Sequence, residues 1–286
     1  MLAGGTGKRL YPTTMAINKH LLPVFDKPMI CHSLSILLLM GIREIGIITS
    51  SRDQQRFKDL LGDGSHIGIS ISWLIQDEPR GIPDAFIIGE EFLDDDPSCL
   101  ALGDTLMHGS GLSSFLNSWI DGSKNARLLC YYVDDARPYG VAKIDPNGRI
   151  KSLQEKPAER QPGLAVTGVY CFDSDVCELA KMLPISARGE IEIVDLCQIY
   201  LERQKLDATV LGRGVVWLDL GSPENLLDAA NYIHVMDVRQ QLKIGCIEEI
   251  CWRKGWIDDD QLSRSAERYG DSPYANYLKK ILETSA

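Results

Sequence analysis

No apolar stretch in this 286-residue chain approaches the ~20 residues that a helix needs to cross a bilayer. The longest, SILLLMGI, runs into Gly41 and reads as the end of a buried helix. No basic cluster followed by an apolar one opens the chain, so no secretory leader is expected. Positive charge is also short. The 30 Lys and Arg stand against 40 Asp and Glu, a net charge of -10. Nucleic acid and anionic membranes call for the opposite balance, so neither is expected as a partner. Missing too is any Cys-x-x-Cys pair among the eight cysteines. They lie largely inside apolar segments, so the expectation is reduced core thiols in a cytoplasmic protein, with neither zinc site nor disulfide.

What is present is a regular alternation. PMICHSLSILLLM has helical spacing, and EIGIITS is an apolar run of strand length. DQQRFKDLL reads as a helix, ISISWLIQ as a strand, PDAFIIGEEFL as a helix, and SCLALGD as a strand ending at Asp104. The pattern continues with LSSFLNSWI and RLLCYYV. This is an α/β fold, a Rossmann-like, mostly parallel sheet with helices on both faces. The middle adds antiparallel strands: YGVAKI and RIKSLQEKP flank the turn signal DPNG, and AVTGVYCFD follows. From Pro223 the pattern is helical. We expect a core over 1–222 that includes this antiparallel insert. A helical segment over 223–286 packs on it to make a single compact domain.

The chain opens MLAGGTGKRLYP. Gly4, Gly5 and Gly7 precede Lys8 and Arg9, and Lys19 follows. Glycines let backbone N–H groups approach an anion, and Arg9 adds a bidentate fork. The two familiar phosphate loops do not fit. A dinucleotide fingerprint needs glycine where Leu10 stands; a P-loop needs it at Leu2 and Ser or Thr at Arg9. In open parallel sheets ligands bind beyond the carboxyl ends of the strands. The loop after Ala3, the IQDEPRG segment and the GDT segment all fall on that rim.

The stretch LAGGTGKRLYPTTMAINKHLLPVFDKPMI resembles the opening of the sugar-1-phosphate nucleotidyltransferases, and similarity continues through LALGD, YGVAKID, QEKP, AVTGVYCFD, ARGEIEIVD and WLDLGSPENLLDAANYI. LLGDGSHIGISISW and CIEEICWRKGWID point to the subgroup that joins dTTP to glucose-1-phosphate. The resemblance implies Mg²⁺ as cofactor, held by Asp104 and Asp219. It implies Arg9, Lys19 and Lys156 as the catalytic cations, and Gly4, Gly5, Gly7, Gln76 and Gly81 around the nucleotide. Gly140, Glu155, Lys156, Thr167 and Arg188 are implied around the sugar phosphate, with Glu190 orienting neighbours. It further implies a homo-oligomer, tetramer or dimer.

Departures cluster on the same motifs. A family D-G-L-A-Q-A is Arg80-Gly81-Ile82-Pro83-Asp84-Ala85, G-D-N is Gly103-Asp104-Thr105, and L-D-T-G is Leu218-Asp219-Leu220-Gly221. They leave two alternatives open: UTP or another sugar-1-phosphate as substrate, or a weakly active or inactive nucleotide-binding regulatory relative. Relatives also carry more apolar residues before L-A-G-G. The three residues here are therefore expected to be the end of a central strand, and lengthening it to raise stability or activity.

Overall fold

The structure, a computed structural model, describes every residue except 121–124, 147 and 286. Asn147 of the DPNG turn signal and Ala286 of the C-terminal segment thus lie outside the described residues. The strands are β1 (Pro23–Val24), β2 (Lys27–Pro28), β3 (Glu44–Thr49), β4 (Ser70–Ile75), β5 (Ser98–Ala101), β6 (Thr105–Gly109), β7 (Ala126–Val133), β8 (Gly140–Ile144), β9 (Ile150–Glu155), β10 (Gly163–Phe172), β11 (Leu206–Val210) and β12 (Val215–Asp219). The helices are α1 (Met29–Leu39), α2 (Gln54–Leu61), α3 (Asp84–Ile88), α4 (Glu90–Leu93), α5 (Leu112–Ile120), α6 (Val176–Lys181), α7 (Ile193–Glu202), α8 (Pro223–Gln240), α9 (Ile247–Arg253), α10 (Asp259–Arg268) and α11 (Pro273–Ser285).

The main sheet runs β4–β3–Leu2–β5–β10–β7–β11. Leu2 makes parallel bridges to Ile48 and Leu102 and so joins its two halves. β3 with β4, and β7 with β11, pair parallel; β10 alone opposes its neighbours β5 and β7. The mostly parallel sheet is as expected, and β8 and β9 form the antiparallel addition. The N-terminal stub is firmly held: Ala3 N–H donates to Ile48 O (2.8 Å), Leu2 N–H to Ala101 O (3.1 Å) and Gly103 N–H to Leu2 O (2.9 Å). The glycine loop therefore leaves from the middle of the sheet.

α1 is apolar on all sides because it is covered on all sides. Ile30, Leu34, Leu37 and Leu38 share one buried cluster with Ile247, Cys251, Leu262 and Leu278 from α9, α10 and α11. Burying each such side chain stabilises the fold by about 1.5–3 kcal/mol. Ser222 caps α8 by accepting from Asn225 N–H (3.2 Å), and Asp258 and Gln261 form a capping box on α10. Among the described residues no helix is long and apolar enough to cross a membrane.

Three local expectations are corrected. PDAFIIGEEFL is two helices divided at Gly89, whose ideal Cβ would lie 2.9 Å from Ala85 O. SCLALGD ends its strand at Ala101, and a new strand, β6, begins at Thr105 to pair with β12. The cysteines are not all thiols. Cys99 and Cys171 stand directly opposite in the antiparallel β5–β10 register and form a disulfide, with Cα atoms 4.2 Å apart. Such closely opposed positions bring side chains together, a proximity that linear spacing conceals. The other six cysteines are free and buried.

Candidate active site

Two cavities mark opposite ends of the sheet. The larger, about 840 Å³, lies at the amino ends of the parallel strands, among Ile45, Phe86, Phe92 and Leu100. It contains none of the residues singled out from the sequence. The smaller, about 650 Å³, opens at the carboxyl ends, where parallel sheets place ligands. Arg9, Asp104, Gly140, Glu155, Lys156, Thr167 and Asp219 line it. Chemistry outweighs size in choosing between them.

Register brings the two aspartates together. β12 pairs antiparallel with β6 so that Asp219 faces Thr105, and Leu220 N–H donates to Asp104 O (2.8 Å). Lys19 makes an ion pair with Asp104, both side chains being largely buried. Burial alone would raise the Asp104 carboxyl, but the Lys19 ammonium against it holds it down to about 2. Burial, and then the negative charge of Asp104, push Asp219 up to about 6. Arg9, 3.8 Å away, offsets only part of this. Burial and the neighbouring carboxylate leave Asp219 raised despite Lys19 and Arg9, and a hard cation between the two carboxylates would favour its ionised form. Two carboxylates with room for phosphate and water fit Mg²⁺.

The loop is shaped around Lys19. Gly7 sits at φ +64, and an ideal Cβ there would lie 2.9 Å from Lys19 Cβ, so a side chain is excluded twice over. Gly5 leaves 3.3 Å to Lys19 Cε, and Thr14 Oγ1 donates to Gly7 O (2.7 Å). Behind the loop are two residues the sequence reading missed. Asn18 Nδ2 donates to Asp53 Oδ2 (3.1 Å), and its Oδ1 accepts from His20 N–H (3.0 Å) and His20 Nδ1 (2.9 Å). Burial, then the Lys19 charge, hold His20 down to about 3, so the ring is neutral. A polar residue in the N-cap position before Lys19-His20 was the available signal for Asn18.

On the far wall, Gly140 lets Glu155 approach: an ideal Cβ would lie 3.4 Å from Glu155 Oε2. Glu155 meets Lys156 at 3.2 Å and Arg188 at 3.4 Å. Arg188 also donates from Nε to Glu192 Oε1 (3.0 Å). Glu192 thus holds the Arg188 guanidinium in place. Thr167 lines the cavity, but its hydroxyl is committed to Leu129 O (2.9 Å).

Gly4, Gly5, Gly7, Lys19, Gln76, Gly81 and Arg188 stand outside the lining of this cavity and reach it through neighbours. Gly4 lies against Gln76, with 3.4 Å from an ideal Cβ to Oε1. Gly81, at φ +108, bridges to Ile191; an ideal Cβ there would fall 2.1 Å from Ile191 O. The departures also have structural partners. Leu220 is fully buried with Val24, Met29 and Leu106. Thr105 exchanges hydrogen bonds with Ser33 Oγ (2.9 and 3.0 Å).

A family model described as nucleotidyl transferase matches residues 1–235. The chain is 45% identical to the glucose-1-phosphate thymidylyltransferase of Neisseria meningitidis serogroup A, over 99% of this chain and 98% of that protein. The Mycobacterium tuberculosis (strain H37Rv) enzyme of the same name matches at the same identity and coverage. A solved structure from Bacillus anthracis, described as a glucose-1-phosphate thymidylyltransferase with a sucrose, is 37% identical. It superposes with TM-score 0.74 over 81% of this chain and 92% of that one. A UDP-glucose pyrophosphorylase complexed with UDP-glucose, 23% identical, shares the fold at TM-score 0.70.

Proposed function

The chain belongs to the nucleotidyl transferase family, and from that premise we propose that it transfers thymidylyl from dTTP to glucose-1-phosphate, giving dTDP-glucose and pyrophosphate. The observation that carries this is the meeting of Arg9, Lys156, Asp104 and Asp219 around one cavity at the carboxyl rim, with Lys19 bound to Asp104.

A phosphate oxygen of the sugar-1-phosphate attacks the α-phosphorus, and the bond from that phosphorus to the bridging oxygen of pyrophosphate breaks. Both reactants are anions, so the protein's task is alignment and charge compensation. The amides of the Gly4–Gly7 loop, with Arg9 and Lys19, cradle the triphosphate and the leaving pyrophosphate. Lys156 and Arg188 take the sugar phosphate, Glu155 and Thr167 border the sugar, and Gly140 keeps that wall open. Gln76 and Gly81 border the base. Asp104 and Asp219 would hold Mg²⁺, which supplies Lewis-acid charge stabilisation at the phosphates. Lys19 is already at hand to neutralise Asp104 or a phosphate.

Buried Leu220 and hydrogen-bonded Thr105 fit an intact site, which supports turnover over a purely regulatory role. The exposed stripe Leu227, Val235 and Val238 on α8 supports a homo-oligomer, checked by light scattering. Intracellular substrates support a cytoplasmic location. Pyrophosphate release from dTTP and glucose-1-phosphate with Mg²⁺ is the expected result. UTP and other sugar-1-phosphates, assayed in parallel, fix the specificity, and silence across that panel would refute the proposal. Asp104→Asn should lower kcat by roughly two orders of magnitude or more, since a clamped metal is worth several kcal/mol.

A further inference from the structure

Asp84 is a charged residue with no exposure at all, in the first turn of α3. Both its oxygens are occupied. Oδ2 accepts from Gln76 Nε2 (2.7 Å), and Oδ1 accepts from Arg80 Nη2 (2.6 Å). Gln76 is itself buried, one residue beyond β4, and its backbone N–H extends the ladder to Thr49 O (2.8 Å). Its Oε1 stands beside Gly4, at the edge of the phosphate loop.

An amide can ordinarily flip, exchanging its donor for its acceptor. Gln76 cannot. A flip would set its carbonyl oxygen against a buried carboxylate, losing a charge-assisted bond and bringing two acceptors together. Arg80, half-exposed, closes on the other oxygen and prevents Asp84 from turning away. The order of acceptor and donor along the rim is thereby fixed.

We propose that Asp84, braced by Arg80, is a positioning residue that sets Gln76 Oε1 as a fixed acceptor and so selects bases carrying a ring N–H. The inference rests on the proposed nucleotide reading, in which the base lies against Gln76. Thymine and uracil carry that hydrogen at N3. Cytosine has a lone pair there, which would face Oε1. Asp84 and Arg80 act through Gln76 and need not touch the nucleotide.

The test is nucleotide affinity by calorimetry, dTTP against dCTP, with Mg²⁺ and without sugar phosphate. The wild type binds dTTP more tightly. Asp84→Asn, close in shape, offers Gln76 a donor or an acceptor and frees the flip. Its dTTP-to-dCTP affinity ratio should fall about tenfold, the scale of one hydrogen bond gained or lost. Affinity for glucose-1-phosphate should be unmoved. Arg80→Gln is the second variant: at this half-exposed position it keeps an N–H donor for the buried Asp84 carboxylate while removing the guanidinium that braces it. It should lower the same ratio in the same direction, and it carries the test alone if Asp84→Asn does not fold. A wild type without preference, or a ratio within twofold of wild type in the folded variants, overturns the inference. Absence of pyrophosphate release with the ratio still shifting would instead remove the transferase reading and leave this one standing.

Discussion

Replacing Gly81 by alanine should damage the protein far more than one methyl group suggests. Two costs arise. The residue sits at φ +108, and holding an L-residue there costs about 1–3 kcal/mol. The new Cβ would also fall 2.1 Å from Ile191 O and 2.8 Å from Ile191 N. Both contacts are backbone, so no side chain can swing aside. The Ile191 segment must retreat, which breaks its N–H bond to Arg80 O (2.7 Å) at a further cost of about 1 kcal/mol. The total is roughly 2–4 kcal/mol, a large part of a typical stability of 5–15 kcal/mol. Urea denaturation at unchanged m-value should show it as a lower midpoint. Hydrogen exchange locates it, since the Ile191 amide should lose protection before the sheet does. A variant within about 0.5 kcal/mol of wild type, the ordinary surface range, with Ile191 still protected, would refute the reasoning.

Lys19→Met leaves the Asp104 carboxylate buried without its counter-charge and should cost about 3–5 kcal/mol in metal-free buffer near neutral pH. Asp104 is held down to about 2 in the folded state, so its contribution is full above the ordinary 3.8 and lost as pH falls through about 2. Acid titrations of the two proteins should converge at low pH; parallel curves would contradict this. Asp219 behaves oppositely: with a folded value of about 6 against 3.8, its contribution is full below 3.8 and lost as pH rises through about 6. The metal-free melting temperature should therefore drop over that window in wild type and not in Asp219→Asn, and matching profiles would refute the shift. In Gly221→Ala the new Cβ would lie 2.3 Å from Arg9 Nη2, the mobile tip of an exposed side chain. Turnover should fall while melting stays within a degree or two, and unchanged turnover would show that Arg9 has no fixed place.

Much of the fold was legible because its signals are local. EIGIITS and ISISWLI became the parallel pair, and YGVAKI and RIKSL the antiparallel one. What stayed hidden depends on register between distant segments. The β6–β12 pairing that carries Asp219 to Asp104 joins two short runs, Thr105–Gly109 and Val215–Asp219, neither of which was read as a strand. The Cys99–Cys171 disulfide had the same cause. Candidate residues were found because resemblance supplied what spacing could not, while their partners were not. In the sequence Asp84 is only a departure within a motif, and its partners Gln76 and Arg80 emerge only in the fold. Glu192 and His20 likewise acquire meaning from what folds against them.

Leu2 is bonded on one side to the Ile48 segment and on the other to Leu102. Its consequence concerns time. Those partners lie far along the chain, and closing such loops costs entropy before any contact repays it. The residues around Leu2 are thus among the last to find their place. Until both halves of the sheet exist, the glycine loop has no base to stand on, and the phosphate cradle is ordered only in a molecule already folded around it. Pulse-labelled exchange during refolding should find the Ala3 amide protected no earlier than the β3 and β5 amides.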